Sequence, residues 1–121
     1  MKMLIIDDEK GICDFLSDFF ERRGHEVVTV NDPLKAMDKI EKEKPQVIIL
    51  DRIMPKMDGL KLLEKIKHTY GKKMKVIMVT VSDEEETRKK ALKAGADDFI
   101  AKPFSSEYLE SVVVQKIREL I

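Results

Sequence analysis

Short apolar segments alternate with amphipathic segments five times along this chain of 121 residues. The apolar segments are rich in Val, Ile and Leu, whereas the amphipathic segments carry apolar residues at the spacing of a helix. Strands that alternate with helices favour one parallel sheet with helices on both faces. The predicted strands cover residues 3–6, 26–30, 46–50, 75–80 and 98–101. The unbroken apolar character of 46–50 predicts a strand that is buried on both faces.

The first two predicted helices have clear boundary signals. Helix one is expected over about residues 12–23, and Gly24 is placed to end it in a left-handed conformation. The dipeptide Asp32-Pro33 supplies a cap and a first-turn proline for helix two, which should stop before Pro45. Residues at helical spacing are expected to be buried in these helices: Ile12, Phe15, Leu16, Phe19, Leu34, Met37 and Ile40.

Helices three to five are delimited by glycines and serines. Ser82 and Glu85 have the spacing of a capping box for helix four, and Ser105 or Ser106 would cap helix five. Glycines mark the start of helix three and the ends of helices three and four: Gly59, Gly71 and Gly95. The residues expected to be buried are Leu62, Leu63, Ile66, Ala91, Leu92, Ala94, Leu109, Val112, Val113 and Ile117.

Length and composition narrow the class of protein. A chain of 121 residues fits a single domain, 1–121, and the last predicted helix runs to the chain end. No apolar run is long enough to cross a bilayer, and a lone cysteine, Cys13, suits a reducing cytoplasm. Because Lys plus Arg and Asp plus Glu both number 23, no basic face for nucleic acid is expected. A cytoplasmic protein without nucleic-acid or membrane partners is predicted.

Polar residues with reactive groups stand where the predicted strands end. Asp7-Asp8 follows the first strand, Asp51 the third, Thr80 closes the fourth, and Lys102 follows the fifth. All strands of an open parallel sheet point their carboxyl ends to the same edge, where ligands bind. Three carboxylates, a hydroxyl and an ammonium should therefore meet in one pocket. That charge arrangement suits a divalent cation and a phosphoryl group.

In this order and spacing, the motifs resemble the receiver domain of two-component response regulators, and the resemblance covers essentially the whole chain. Beyond the strand-end residues it includes Met54-Pro55-Lys56-Met57-Asp58-Gly59 after Asp51 and Lys102-Pro103-Phe104 after the fifth strand. The resemblance implies a stand-alone, chemotaxis-receiver-like domain with a doubly wound, flavodoxin-like α/β fold. It further implies five helices, the strand order 2-1-3-4-5 and a cis Lys102-Pro103 peptide.

The same resemblance implies the role of each site residue. Asp51 would accept a phosphoryl group from a phosphohistidine on a sensor histidine kinase or a histidine phosphotransfer protein. Mg²⁺, or Mn²⁺, would be bound by Asp7, Asp8, Asp51 and the backbone carbonyl of Ile53. Of the acidic pair, Asp8 is the better direct ligand, and Asp7 can act through water. The protein would take part in its own phosphorylation and dephosphorylation without being a conventional turnover enzyme.

The resemblance also implies roles for Lys102 and Thr80 at the phosphoryl site, and for Phe99 as a residue that moves when the site is phosphorylated. Lys102 would pair with Asp51 before phosphorylation and with a phosphate oxygen afterwards. Thr80 would donate its hydroxyl to the phosphoryl group. Phe99 is the aromatic residue that would move with Thr80, and because Phe99 has no hydroxyl its switching would be steric. A half-buried strand phenylalanine without a switching role is an equally weighted interpretation.

Two side chains near Asp51 and Thr80 depart from the family pattern. Val81 follows Thr80, where many relatives carry a small residue, and we expect it to narrow the site and slow phosphate exchange. Ile53 is apolar and cannot orient an attacking water through a hydrogen bond, so slow self-dephosphorylation is expected.

The resemblance places the output on helix four, strand five and helix five, roughly residues 82–121, facing an unknown protein partner. Relay of the phosphoryl group to another histidine protein is the alternative output. Two other functions compete with the switch. A flavin-binding module would need a Ser, Thr and Gly-rich loop where this chain has Asp7-Asp8-Glu9. A metal-dependent phosphatase would need a general acid, which Arg52 and Ile53 do not supply, and a substrate cap.

Overall fold

One five-stranded sheet organises the computed structural model, which describes residues 1–81 and 85–120. Its strand order is β2-β1-β3-β4-β5, and each neighbouring pair is parallel. The predicted doubly wound sheet and its order are confirmed. The strands are β1 (Lys2–Ile6), β2 (Glu26–Val30), β3 (Val47–Asp51), β4 (Lys75–Thr80) and β5 (Asp98–Ala101).

Five helices connect or follow these strands in the described residues: α1 (Lys10–Glu21), α2 (Ala36–Glu43), α3 (Gly59–Tyr70), α4 (Glu85–Ala94) and α5 (106–120). A 3-10 turn, Pro33–Lys35, precedes α2, and another, Gly71–Lys73, follows α3. Helix α5 contains a π-helical segment, Leu109–Val113. None of the helices in the described ranges has the length and apolar character that crossing a bilayer requires.

Alternating side chains of the sheet divide the apolar interior into two cores. One core joins the sheet to α2, α3 and α4 through Leu4, Ile6, Ala36, Ile40, Ile48, Leu50, Leu62, Leu63, Ile66, Val76, Met78 and Ala91. The other joins it to α1 and α5 through Met3, Ile5, Leu16, Phe19, Phe20, Val47, Ile49, Ile77, Val79, Leu109, Val113 and Ile117. Every residue of β3 is buried, as its unbroken apolar sequence predicted, because helices cover both sides.

Three residues expected in the core are exposed: Phe15, Leu34 and Leu92. The side chain of Leu34 is 61% exposed because it lies in the 3-10 turn before α2, out of phase with the buried Ala36 and Ile40. Leu92 is 56% exposed, since only a narrow stripe of α4 around Ala91 faces the sheet. The Ser82 half of the proposed capping box lies outside the described residues.

Chain reversals follow the predicted signals. Gly24, Gly71 and Gly95 all have positive φ angles and lie just after helices, where such backbone favours glycine. Asp32 Oδ1 accepts a hydrogen bond from the Leu34 backbone at 3.1 Å, and Ser105 Oγ accepts one from Tyr108 at 3.1 Å. These caps satisfy amide groups that the helices leave unpaired at their starts.

Candidate functional site

The carboxyl edge of the sheet brings the predicted polar residues together. Asp7 follows β1, Asp51 and Thr80 are the last residues of β3 and β4, and Lys102 follows β5. Asp7, Asp51 and Thr80 are the buried polar or charged residues of the described chain, each 5% exposed or less. Buried polar groups are uncommon without partners, so their gathering at one edge marks a site.

Three carboxylates form a compact acidic cluster at this edge. Asp7, Asp8 and Asp51 each place one oxygen so that all three atoms lie within 4.8 Å of one another. Asp7 is held in place because its Oδ1 accepts a hydrogen bond from the Glu9 backbone at 2.9 Å. The backbone carbonyl oxygen of Asp7 accepts a hydrogen bond from the Cys13 thiol at 3.3 Å. Carboxylates this close repel one another unless a cation lies among them, and hard oxygen ligands suit Mg²⁺ or Mn²⁺.

Lys102 bridges two members of the cluster. Its Nζ lies 3.0 Å from Asp7 Oδ2 and 3.4 Å from Asp51 Oδ2, and its side chain is 13% exposed. The Lys102 backbone donates to Thr80 O at 2.9 Å, which continues the β4–β5 pairing, and the Lys102-Pro103 peptide is cis. The sequence predicted a partner in Asp51; the closer partner is Asp7. One ammonium thus partly neutralises three negative charges.

Burial and charge shift the proton affinities of the site. Burial, reinforced by the charge of Asp7, raises the pKa of Asp51 to about 6, although Lys102 and a backbone hydrogen bond from Ile53 act in the opposite direction. Burial lowers the pKa of Lys102, but its hydrogen bond to Asp7 and the two nearby carboxylates outweigh burial, so the pKa is raised overall. Burial and the charge of Asp7 raise the pKa of the Cys13 thiol to about 11.

The loop after Asp51 is fixed by its backbone. Arg52 N donates to Val79 O at 3.0 Å, and Gly59 N donates to Arg52 O at 2.8 Å. A Cβ at Gly59 would lie 2.3 Å from Asp51 O and 2.7 Å from Arg52 Cα, so glycine is required there. Between these anchors, Ile53–Met54 and Met57–Asp58 pair as a short antiparallel hairpin. Ile53 is 61% exposed, and its backbone N–H is hydrogen-bonded to the Asp51 carboxylate.

Phe99 and Arg88 lie beside the site on β5 and α4. Phe99 is partly buried against the core under α2, α3 and α4. The Arg88 guanidinium lies 6.0 Å from the centre of the Phe99 ring, at the limit of a cation–π contact. Phe99 therefore lies beside α4, where a switching residue would be expected. Its movement on phosphorylation stays a prediction.

An apolar groove, which sequence patterns did not reveal, runs from the site along α1. It encloses about 470 Å³ and is lined by Glu9, Ile12, Phe15, Val81, Lys102, Pro103 and Phe104. The rings of Phe15 and Phe104 are stacked, with centroids 6.5 Å apart. Phe15 is 39% exposed and Val81 66%. A helical pattern assigns such residues to the core, because it does not distinguish a buried face from an apolar surface.

Comparisons with known proteins agree with this geometry. The family model "Response regulator receiver domain" matches residues 3–114. The alkaline phosphatase synthesis transcriptional regulatory protein PhoP of Bacillus subtilis (strain 168) is 37% identical over 117 residues, which are 97% of this chain and 48% of PhoP. The chain thus spans about half the length of that relative.

Solved structures show the same architecture. The chemotaxis protein CheY4 of Vibrio cholerae has a TM-score of 0.88 at 26% identity, over 99% of this chain and 98% of CheY4. A CheY-like receiver domain protein of Methanospirillum hungatei JF-1 has a TM-score of 0.86 at 34% identity, over 98% of this chain and 94% of that protein. With the matched family model, these likenesses show that the chain belongs to the response regulator receiver domains of two-component systems.

Proposed function

We propose that residues 1–121 form one phosphorylation-dependent switch in which Asp51 accepts a phosphoryl group from a phosphohistidine. The donor would be a sensor histidine kinase or a histidine phosphotransfer protein. The observation that carries this proposal is a buried carboxylate, Asp51, in a cluster with two other carboxylates and 3.4 Å from an ammonium. A carboxylate nucleophile forms an acyl phosphate, which is reactive and therefore reversible, as a signal must be.

The acidic cluster fits a divalent cation, since it offers three hard oxygen donors within 4.8 Å of one another. Asp7, Asp8, Asp51 and the backbone carbonyl of Ile53 would hold Mg²⁺ or Mn²⁺. When bound, such an ion supplies positive charge that screens the repulsion between a carboxylate and a phosphoryl group. The Asp7 carboxylate also forms an ion pair with Lys102, so its contribution to metal binding would depend on the position of the Lys102 ammonium.

Lys102 and Thr80 would stabilise the transferred group. The ammonium lies between Asp7 and Asp51, so a small displacement would let it pair with a phosphoryl oxygen on Asp51. Thr80 ends the strand next to β3, and its hydroxyl can donate to another oxygen of the same group. Movement of Thr80 would reach Phe99 through the neighbouring strand, since β4 pairs with β5.

A protein donor is supported by the apolar groove of Ile12, Phe15, Val81, Pro103 and Phe104. The groove is adjacent to Lys102, and the stacked rings of Phe15 and Phe104 line it. A small phosphodonor could reach Asp51 without contacting this apolar surface. Exposed apolar surface of this kind is typical of protein interaction sites. The donor would therefore cover α1 and the segment after β5 while its phosphohistidine reaches Asp51.

Output would pass through α4, β5 and α5 to a protein partner, or the phosphoryl group would be relayed to a further histidine protein. Only a narrow stripe of α4 is buried, around Ala91. An element with few buried contacts can change position at low free-energy cost. Phosphorylation would then shift the equilibrium between two arrangements of this face.

Intact mass spectrometry tests the proposal. Wild-type protein incubated with Mg²⁺ and acetyl phosphate should gain one phosphoryl group, and Asp51→Asn should gain none. Removal of Mg²⁺ with a chelator should stop the labelling. An unmodified wild-type protein, or equal labelling of Asp51→Asn, would refute the proposal. Steady turnover of small phosphomonoesters would favour the phosphatase alternative, and a co-purifying yellow chromophore would favour the flavin module.

A further inference from the structure

Arg52, the residue directly after Asp51, carries a positive charge that no described residue neutralises. Its Nε is fully enclosed yet forms no hydrogen bond, the single buried side-chain nitrogen or oxygen in this condition among the described residues. Buried polar groups nearly always find a partner, so an enclosed donor without one requires an explanation. Within residues 1–81 and 85–120, the Arg52 guanidinium also forms no ion pair.

The position of Arg52 is nevertheless fixed. Its backbone N–H donates a hydrogen bond to Val79 O, its carbonyl accepts one from Gly59 N, and Gly59 packs so closely that a Cβ there would lie 2.7 Å from Arg52 Cα. The side chain as a whole is half-buried. A long side chain that is held with its Nε enclosed gives up rotamer entropy on folding, and here no hydrogen bond from that Nε offsets the loss.

Neighbouring acids are already engaged elsewhere. Asp51 directs its Oδ2 to Lys102 Nζ at 3.4 Å and forms no ion pair with Arg52. Asp58 accepts a hydrogen bond from the Leu60 backbone at 3.0 Å as the cap of α3. The N–H groups of the Arg52 guanidinium are therefore available to donate hydrogen bonds to a group from outside the described chain.

A cavity beside this residue provides the room for such a group. It measures about 350 Å³ and is lined by the loop residues Arg52, Ile53, Met54, Pro55, Lys56, Met57 and Asp58. Lys56 adds a second positive charge to the lining: 62% of its side chain is exposed, and its one carboxylate neighbour among the described residues, Asp32, lies 3.9 Å from its Nζ and outside the cavity lining. Two cations against one engaged carboxylate make the cavity suitable for an oxyanion.

We propose that Arg52 is a specificity-determining residue that binds a carboxylate, an Asp or Glu side chain, of the protein that docks to phosphorylate Asp51. This inference rests on the proposed function. Any protein that reaches Asp51 must cover the residue next to it, and a planar guanidinium binds a carboxylate through two parallel hydrogen bonds. Because its Nε is already enclosed by the protein, Arg52 loses less side-chain freedom on binding than a fully exposed arginine would, which favours affinity.

The first test is an NMR titration with sodium acetate as the carboxylate probe, replacing sodium chloride at constant ionic strength. The Arg52 Nε–Hε signal is assigned by its loss in Arg52→Gln. Arg118, an exposed arginine on α5, is the matched control. A saturable shift of Arg52 with no saturation at Arg118 is expected. Equal responses of the two arginines would overturn the inference. A stronger response to sodium phosphate than to acetate would overturn it as well, by assigning the cavity to a small phosphate.

The second test compares two phosphodonors. Arg52→Gln should be labelled by acetyl phosphate at a rate within about twofold of wild type. Its transfer rate from a phosphorylated histidine kinase core that labels the wild type should fall by about fivefold or more, through KM. Arg118→Gln should match wild type with both donors. Unchanged transfer to Arg52→Gln would overturn the inference and leave the proposed function standing, whereas no labelling of the wild type by either donor would refute the proposed function itself.

Discussion

Lys102 Nζ lies 3.0 Å from Asp7 Oδ2, closer than it lies to Asp51, the residue we propose as phosphoacceptor. The Lys102 ammonium therefore forms an ion pair with the Asp7 carboxylate, which we propose as a ligand of a divalent cation. A bound metal ion and the Lys102 ammonium would compete for one carboxylate, so we expect metal binding to be coupled to the position of Lys102. Binding of a metal ion would release Lys102 from Asp7 towards Asp51.

Replacing Lys102 by Met should tighten Mg²⁺ binding, because a competing positive charge is removed from the cluster. We expect an increase in affinity of about fivefold, or ~1 kcal/mol, together with a loss of labelling by acetyl phosphate. Isothermal titration calorimetry measures the first effect and intact mass the second. Lys72→Met, a change of equal charge at the opposite end of the sheet, is the control and should change neither. Weaker binding of Mg²⁺ to Lys102→Met would contradict the competition.

Gly59→Ala should destabilise the protein strongly. The new methyl group would meet the backbone of Asp51 and Arg52 at 2.3–2.8 Å, and backbone cannot yield as a flexible side chain can. We expect a loss of roughly 3 kcal/mol in the free energy of unfolding, measured by urea denaturation. Gly11→Ala in α1, where a Cβ meets no atom within 4 Å, should be neutral or stabilise by less than about 1 kcal/mol. Equal effects of the two substitutions would be inconsistent with the steric explanation.

Lys67 and Asp97 should be energetically coupled. Lys67 Nζ lies 2.7 Å from Asp97 Oδ2 and donates to Met74 O at 2.7 Å, and Asp97 Oδ2 also accepts from the Val76 backbone at 2.8 Å. Lys67→Met leaves a largely enclosed carboxylate without its counter-charge and should cost about 3 kcal/mol. A double-mutant cycle with Asp97→Asn should give a coupling of about 1 kcal/mol or more. Strictly additive effects would show that the pair is not linked.

Val81→Ala should accelerate phosphoryl exchange. Val81 lines the groove beside Lys102, and 66% of its side chain is exposed at the mouth of the site. A smaller side chain widens the approach to Asp51, so both labelling by acetyl phosphate and decay of the phosphorylated form should become several-fold faster. Time-resolved intact mass gives both rates. Unchanged rates would show that Val81 does not limit access to Asp51.

Ile53→Asn should shorten the lifetime of the phosphorylated protein by several-fold. The Ile53 side chain is exposed beside Asp51 and offers no hydrogen bond to an attacking water, whereas an amide can orient one. Phosphorylated wild type is expected to persist for longer than seconds. The decay of the phosphorylated mass after removal of the donor measures both proteins, with Lys72→Met as a remote control. Rapid loss from wild type would contradict the expectation.

Strands and site residues were predictable because they depend on short-range patterns. Apolar runs located each strand of the five-stranded sheet to within about one residue, and polar residues at the ends of those runs located Asp7, Asp51, Thr80 and Lys102; the short hairpin of Ile53–Met54 and Met57–Asp58 was not predicted. Parallel strands bring such residues to one edge whatever the details of packing. Their roles, by contrast, came from the family resemblance and remain predictions.

Features that depend on exact helix phase or on distant pairs were not predictable. Helical spacing predicts Phe15, Leu34 and Leu92 in the core, because spacing identifies an apolar position without showing whether a neighbour covers it. The contact of Lys102 with Asp7 depends on side-chain positions at the ends of two separated strands. The ion pair of Lys67 with Asp97, and the enclosed Nε of Arg52, likewise arise from tertiary packing that no local pattern encodes.

The two neighbours of β1 are made at very different times. Strand β2 follows closely in the chain, but β3, which covers the other edge of β1, begins only at Val47. During synthesis β1 therefore keeps one edge unpaired until residues 47–51 have left the ribosome. Of the four pairings in this sheet, the β1–β3 ladder joins the residues that are farthest apart in sequence, so we expect its formation to limit the rate at which the native topology is reached.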